Sequence, residues 1–363
     1  NSKGVIMKKE LLMASALVST LGAASVAEAV TATMGGSLKI GQEFESPESG
    51  SDTNNNKSLS NFSVSLSETT DGGTTVSSSF MLTNEGGSAP DDDNAIKLTF
   101  SDGSALELLN AGNSAGTHAV SVPGASGEQG IAVTTSNGAP TGTSFGAGAT
   151  ALGVEWHSAA DFMADGLKVS ASYSGSSGDA ATGTQAMDSS WGVGATYVTT
   201  AGDSTVTIGG GIASSETRYS GSSPTNDRNG FNIGISAVTG DLTVGVGYGD
   251  GDTFDDQGNA TTNTANTSSV QVDGSVMKAG VKYVSGDITM AIGATAGEAK
   301  DSSTMGTAGT TDDAYDSVGA SLTYAVASGV SAVLGYTTVD VQDEGASDNS
   351  GGSAWYVGAT MSF

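Results

Sequence analysis

Apolar residues recur at every second position along most of this chain. In "NFSVSLS" Phe62, Val64 and Leu66 share one face and serines hold the other, and in "GLKVSASYS" Leu167, Val169, Ala171 and Tyr173 do the same. A period of two is that of a β-strand with one apolar and one polar face. The alternating stretches come in pairs joined by brief turn-formers, as in "AVTGDLTVGVGY", "YVSGDITMAIG" and "YAVASGVSAVLGY", which is how hairpins read. Extended along the chain, the pattern predicts sixteen strands, near residues 33–45, 59–68, 74–84, 94–101, 105–110, 151–158, 166–174, 190–199, 204–215, 229–238, 241–249, 275–284, 287–297, 314–326, 329–340 and 353–363.

The connections alternate too. Those after even-numbered strands are tight, whereas those after odd-numbered strands are long and carry acidic, Asn- and Gly-rich sequence such as "SPESGSDTNNNK", "EGGSAPDDD" and "DGDTFDDQGNATTNTANTSS". A soluble sandwich has no reason to gather its long loops at one end. A transmembrane barrel does, and it has an even number of strands. Its aromatics then sort by height: Phe44, Tyr173, Trp191, Phe231, Tyr248, Tyr336 and Trp355 fall at the loop ends of their strands, and Phe100, Trp156, Tyr197, Tyr283, Tyr324 and Phe363 at the turn ends. Two aromatic belts mark the two interfaces of a bilayer. In the last strand Trp355, Val357, Ala359, Met361 and Phe363 form the lipid-facing stripe, and closure of the barrel ties down a terminus that would otherwise fray. The fold class is therefore all-β, a sixteen-stranded antiparallel transmembrane barrel.

Composition narrows the function. The chain has 363 residues, 54 of them Gly, no Cys, and 39 acidic against 12 basic residues, for a net charge of −27. So acidic a chain lacks the basic face that nucleic acid requires, and without cysteine it has neither a disulfide framework nor thiolate metal sites. From Met7 the sequence "MKKELLMASALVSTLGAASVAEA" has a positive start, a short apolar middle and an A-x-A ending, the pattern of a secretory signal peptide cleaved after Ala29. Residues 1–29 are thus expected to be upstream sequence plus signal, and residues 30–363 the barrel. An exported chain with strands in place of a spanning helix points to an outer membrane.

Charges sort by strand phase. Lys39, Lys97, Lys168, Lys278 and Lys282 fall on the inward phase, as do Glu43, Glu107, Glu155 and His157. A lysine facing lipid near the midplane costs about 2–4 kcal/mol, so any such barrel must sort them this way. The functional reading goes further: Lys39, Glu43, Lys97, Glu155, Lys168, Lys278 and Lys282 line a water-filled pore. The acidic loops concentrate cations at the mouth while the wall lysines favour anions inside, and a weak cation preference is expected on balance.

Three stretches carry a family resemblance: the closing strand "AWYVGATMSF" with its terminal Phe, the opening "VTATMGGSLKIGQEFE", and "GVEWHSAADFMADGLKVSASYS" with Gly166 before its second strand. In these the chain resembles a general diffusion porin of Gram-negative outer membranes, of the alphaproteobacterial type. The resemblance implies passive passage of ions and small hydrophilic solutes, outer-membrane lipid and lipopolysaccharide as surroundings, a homotrimer, and a C-terminal strand read by the barrel-assembly machinery. It also implies that the loop between strands 5 and 6, residues 111–150, folds into the lumen as the constriction, bringing in Glu128 and His118. Lys39 and Lys97 would then face Glu128 across the narrowest point. The loop lacks the Pro-Glu-Phe-Gly-Gly turn of enterobacterial members.

Other readings have less behind them. Asp250, Asp252, Asp255 and Asp256 could offer oxygen ligands to Ca²⁺, but Phe254 breaks the EF-hand spacing; a solvated acidic loop is the simpler reading, and no cofactor is expected. "GTSFG", Gly142 to Gly146, matches G-x-S-x-G without the strand-to-helix elbow that motif needs, so no enzyme is expected. A secreted calcium-binding structural or adhesive β-protein would carry a fixed repeat, which is not found. A substrate-specific channel would carry a track of inward aromatics, whereas only Tyr356 among the clear strand aromatics has inward phase.

Overall fold

A computed structural model describes residues 30–48, 50–85, 95–109, 113–124, 139–145, 153–175, 185–219, 225–255, 270–300, 312–342 and 350–363. Its strands are β1 (Thr31–Pro47), β2 (Thr53–Thr69), β3 (Thr75–Glu85), β4 (Ile96–Thr99), β5 (Ala105–Leu108), β6 (Gly153–His157), β7 (Leu167–Ser174), β8 (Gln185–Ala201), β9 (Ser204–Tyr219), β10 (Thr225–Thr239), β11 (Leu242–Asp255), β12 (Val270–Ser285), β13 (Ile288–Ala299), β14 (Asp313–Ala327), β15 (Val330–Gln342) and β16 (Ser350–Ser362). One four-residue helix, α1 (Ser114–Thr117), lies between β5 and β6. Every strand pairs antiparallel with its sequence neighbours, and β16 returns to β1, closing a sixteen-stranded barrel.

The closing seam runs from Ser37 opposite Ser362 to Pro47 opposite Gly352. Beyond it, Gly36 and Phe363 exchange both backbone hydrogen bonds, each 3.1 Å long, so the last residue is held by main chain as well as by its ring. With this seam every described strand has a neighbour on both sides, as a membrane barrel requires.

Short turns end the hairpins on one side. Residues 202–203, 240–241 and 286–287 are two-residue turns that begin with Gly202, Gly240 and Gly286 at φ +63°, +56° and +57°, where a type II′ turn requires a positive φ. The β6–β7 turn depends on Gly166 in another way. Its φ is +78°, its N–H donates to the Asp161 carboxylate at 2.6 Å, and a Cβ there would drive into the backbone of Val198. In the β4–β5 turn the Asp102 carboxylate accepts from the Ser104 hydroxyl at 2.7 Å and its N–H at 2.9 Å, which holds Asp102 below its ordinary pKa.

Burial follows the predicted alternation. Phe44, Trp355 and Tyr336 are direct partners across β1, β16 and β15, with the Trp355 and Tyr336 rings 4.4 Å apart. At the other end Phe100, Tyr197, Tyr283 and Tyr324 face outward and are exposed. The strand ends depart from expectation in a systematic way. β2 begins at Thr53 and β11 continues to Asp255, because Asn, Thr and Asp, read as loop formers, still pair when the neighbouring strand offers a ladder. β4 and β5 are shorter than expected, four residues each: Leu109 turns to φ +67° and donates its N–H to Gly153 O at 2.9 Å, ending the β5 ladder. This low stretch of wall is where the chain leaves for the interior.

Candidate functional site: the inward loop and the two walls

The chain after β5 enters the barrel. Asn113 caps α1 by accepting from the Gly116 N–H at 3.0 Å. Side chains of the wall then hold α1 and the residue after it. The Ser114 N–H donates to Ser172 Oγ at 3.0 Å, the Ser114 hydroxyl to Glu155 Oε1 at 3.0 Å, and Asn232 Nδ2 to Ala115 O at 2.8 Å. His118 spans two strands, with Nδ1 2.7 Å from Thr196 Oγ1 and Nε2 2.8 Å from Ser170 Oγ. Burial pushes the His118 pKa down; Glu155 draws it up, and His157 and Lys168 add to the fall.

From there the loop runs along a wall that has been cleared for it. Val120 lies against Gly234, Pro123 against Gly245 and Gly280, and Gly124 against Gly293; the returning limb sets Pro140 over Gly297, Thr143 over Gly249, and the buried Phe145 over Gly230. The outgoing limb thus crosses from β7 to β13 and the return from β13 to β10. The approach is so close that a Cβ on Gly234 would stand 2.7 Å from Val120 Cβ, and one on Gly293 2.7 Å from Gly124 Cα. These glycines are needed because backbone lies where side chains would otherwise project.

The facing wall, β1 to β6, is charged. Lys57 Nζ lies 2.6 Å from Glu43 Oε2, whose side chain is 1% exposed. Lys97 Nζ lies 2.6 Å from Glu107 Oε1, and His157 Nε2 lies 3.4 Å from the same oxygen. Glu107 and Glu155 are direct cross-strand partners, a costly arrangement for like charges. Lys97 and the His157 ring between them offset it. Glu107, Glu155 and His157 also bring possible ligand atoms within 4.8 Å of one another, but Lys97 occupies Glu107 and Ser170 Oγ engages His157 Nδ1 at 2.8 Å.

The anticipated residues are therefore distributed, not convergent. Lys39 and Glu43 have inward phase on β1, Lys97 and Glu155 belong to the charged wall, Lys168 is exposed on β7, and Lys278 and Lys282 stand on β12 beside the loop. Lys97 is engaged with Glu107 on its own wall, not extended across the lumen. Glu128 lies outside the described residues. Asp250 and Asp252 are strand residues, not loop residues: Asp250 accepts from the Tyr248 hydroxyl at 2.8 Å and Asp252 from the Asn229 N–H at 2.7 Å. Asp256 lies outside the described residues. Sequence reasoning missed Lys57, hidden in a stretch read as loop, and the hydroxyls of Ser114, Ser170 and Thr196, which carry no pattern of their own. It also missed Tyr315, which joins Tyr356 inside, packed on a buried cluster with Val339, Val341 and Ala354.

The family model of Gram-negative porins matches residues 14–344. The chain belongs to that family. Among solved structures, OmpF of Salmonella typhi in complex with daunomycin is 14% identical with TM-score 0.64, over 92% of this chain and 98% of that one. The anion-selective porin of Comamonas acidovorans is 11% identical with TM-score 0.61, over 92% and 100%. OmpT of Vibrio cholerae in its trimer form is 14% identical with TM-score 0.58, over 92% and 99%. At these identities the solved structures establish the barrel, and the family match establishes what it is for. No curated protein matches the sequence. This porin is an outer-membrane protein whose lumen serves as a passive diffusion channel.

Proposed function

We propose that this porin passes ions and small hydrophilic solutes and that the loop of residues 111–150 sets the size limit. The observation that carries the reading is the docking of residues 113–124 and 139–145 on a glycine-lined wall facing a charged one. Backbone laid across one wall narrows the path, and the charged wall opposite suits a water-filled passage. The channel needs no catalytic group. Residues 141–145, which contain most of the G-x-S-x-G match, form neither strand nor helix.

We also propose a homotrimer in contact with lipopolysaccharide and inserted by the barrel-assembly machinery. The trimer form of the Vibrio cholerae neighbour supports the first, and so does an anomaly on the outer surface. Asn54, Asn56 and Ser58 have outward phase on β2 and are exposed, with the Gln42 amide bonded to Asn54. Amides facing hydrocarbon are costly, and a neighbouring subunit would cover them. Swelling of liposomes over a series of sugar sizes tests the size limit. Replacing residues 113–145 by a short Gly-Ser link should raise single-channel conductance and admit larger sugars; an unchanged cutoff would remove the loop from the role.

A further inference from the structure

Two lysines of this porin differ from the ion-paired ones. Lys57, Lys97 and Lys300 each lie within 2.7 Å of a carboxylate oxygen. Lys278 and Lys282 do not: both are half-buried on the inner face of β12, and neither has an ion-pair or hydrogen-bond partner among the described residues. They bracket the loop. Lys278, Gly280 and Lys282 follow one another on the inward phase, and Pro123 is packed against Gly280 between them.

The two lysines border a recess of about 520 Å³ beside Ser121 to Gly124 of the outgoing limb. Its lining includes the hydroxyls of Ser121, Thr243, Thr295 and Ser317, and no carboxylate among the described residues. In a chain with 39 acidic residues this is a notable local inversion of charge. Half-buried ammonium groups with no counter-charge among the described residues, ringed by hydroxyl donors, are a ready seat for an anion with several acceptor oxygens. At roughly 3.3 Å per residue the two Cα atoms stand about 13 Å apart, so both side chains can reach toward one solute or hand it from one side of the limb to the other. Lysine, a compact hydrated charge on a flexible stem, suits transient holding better than a bidentate clamp, and a channel must bind weakly enough to release.

We propose that Lys278 and Lys282, with the hydroxyls around them, form a transit site for small oxyanions where solutes pass the loop. The proposal rests on the passive-channel reading above. Its test uses inorganic phosphate as the probe on the full chain in planar bilayers, at matched ionic strength. Phosphate should lower the single-channel chloride current saturably. In the Lys278→Gln/Lys282→Gln double variant the half-effect concentration should rise about tenfold or more. The Lys278→Arg/Lys282→Arg and Lys300→Gln variants should retain the response, and heat-modifiable migration on gels checks that each barrel is intact. A conducting wild-type channel indifferent to phosphate, or a Gln double variant that responds like wild type, would overturn the transit site and leave the channel standing. A protein that inserts and never conducts would overturn the channel reading as well.

Discussion

The wall from β8 to β13 and the wall from β1 to β6 face the same lumen with opposite solutions. Their outer faces obey one rule, since lipid asks both for apolar stripes. Inside, the covered wall presents glycine at one inward position after another, with the loop backbone lying where side chains would be. The open wall presents Glu43 with Lys57, and Glu107 with Lys97 and His157, in paired contact. An inward position in this barrel is therefore selected by its neighbour across the surface: backbone demands the loss of a side chain, and water permits a charge provided a partner stands near. Lys278 and Lys282 are the exception, being charges on the covered wall at the recess beside Pro123 and Gly124.

The contrast breaks most completely if the covered wall is given side chains. A Cβ on Gly211 would stand 2.7 Å from Ala115 Cα, a backbone atom of α1 that cannot step aside. Gly211→Leu should expel that end of the loop at an overpacking cost of about 1–3 kcal/mol, and liposome swelling should extend to larger sugars. The same bulk added at Ser65, exposed on the inner face of β2, should leave the sugar cutoff where it was. If both substitutions leave it unchanged, the glycines are not what seats the loop.

A smaller effect is expected on the charged wall. Lys57→Gln takes the lysine from Glu43, whose carboxylate is almost wholly buried beside Tyr356. Because the ammonium itself is partly exposed, the loss is placed at about 1–2 kcal/mol, below that of a fully buried pair. It should appear as a lower temperature for heat-induced unfolding of the barrel in gels. Conduction should change little, since the loop is anchored elsewhere.

How much of this was legible in the sequence follows from the same physics. Alternation, tight turns and aromatic belts are local and periodic, so all sixteen strands could be read off, and the terminal Phe announced the seam. Inward phase, also local and periodic, gave the strand lysines their expected side. Partnership was not legible: Lys97 reads equally well as facing a distant Glu128 or the adjacent Glu107, and only the register of β4 against β5 puts it on Glu107. The glycine wall was invisible for a related reason. Glycine is common throughout the chain, so its concentration along the loop's path has meaning only when the strands are laid side by side. Thr53 to Lys57 looked like loop because Asn is a turn former and all five residues are polar, although their ladder with β1 continues that of β2.

The smallest expected effect concerns pH and His118, the loop residue bonded to both β7 and β8. His118 is buried, with both ring nitrogens engaged by hydroxyls, Ser170 Oγ at 2.8 Å and Thr196 Oγ1 at 2.7 Å. Burial lowers its pKa most, His157 and Lys168 lower it further, and Glu155 works against them. Undocked and solvated, the imidazole would take up its proton near pH 6.5. The docked state binds that proton less readily, so docking is at full strength above about pH 6.5, where the ring is neutral in both states. It weakens as the pH falls toward the lowered value, because the undocked loop gains protons that the docked one resists. Single-channel recordings should therefore become noisier or more conductive below about pH 6, while His118→Asn, which keeps polar contacts and cannot titrate, should flatten that dependence. Acid sensitivity that persists in the Asn variant would remove His118 from the response.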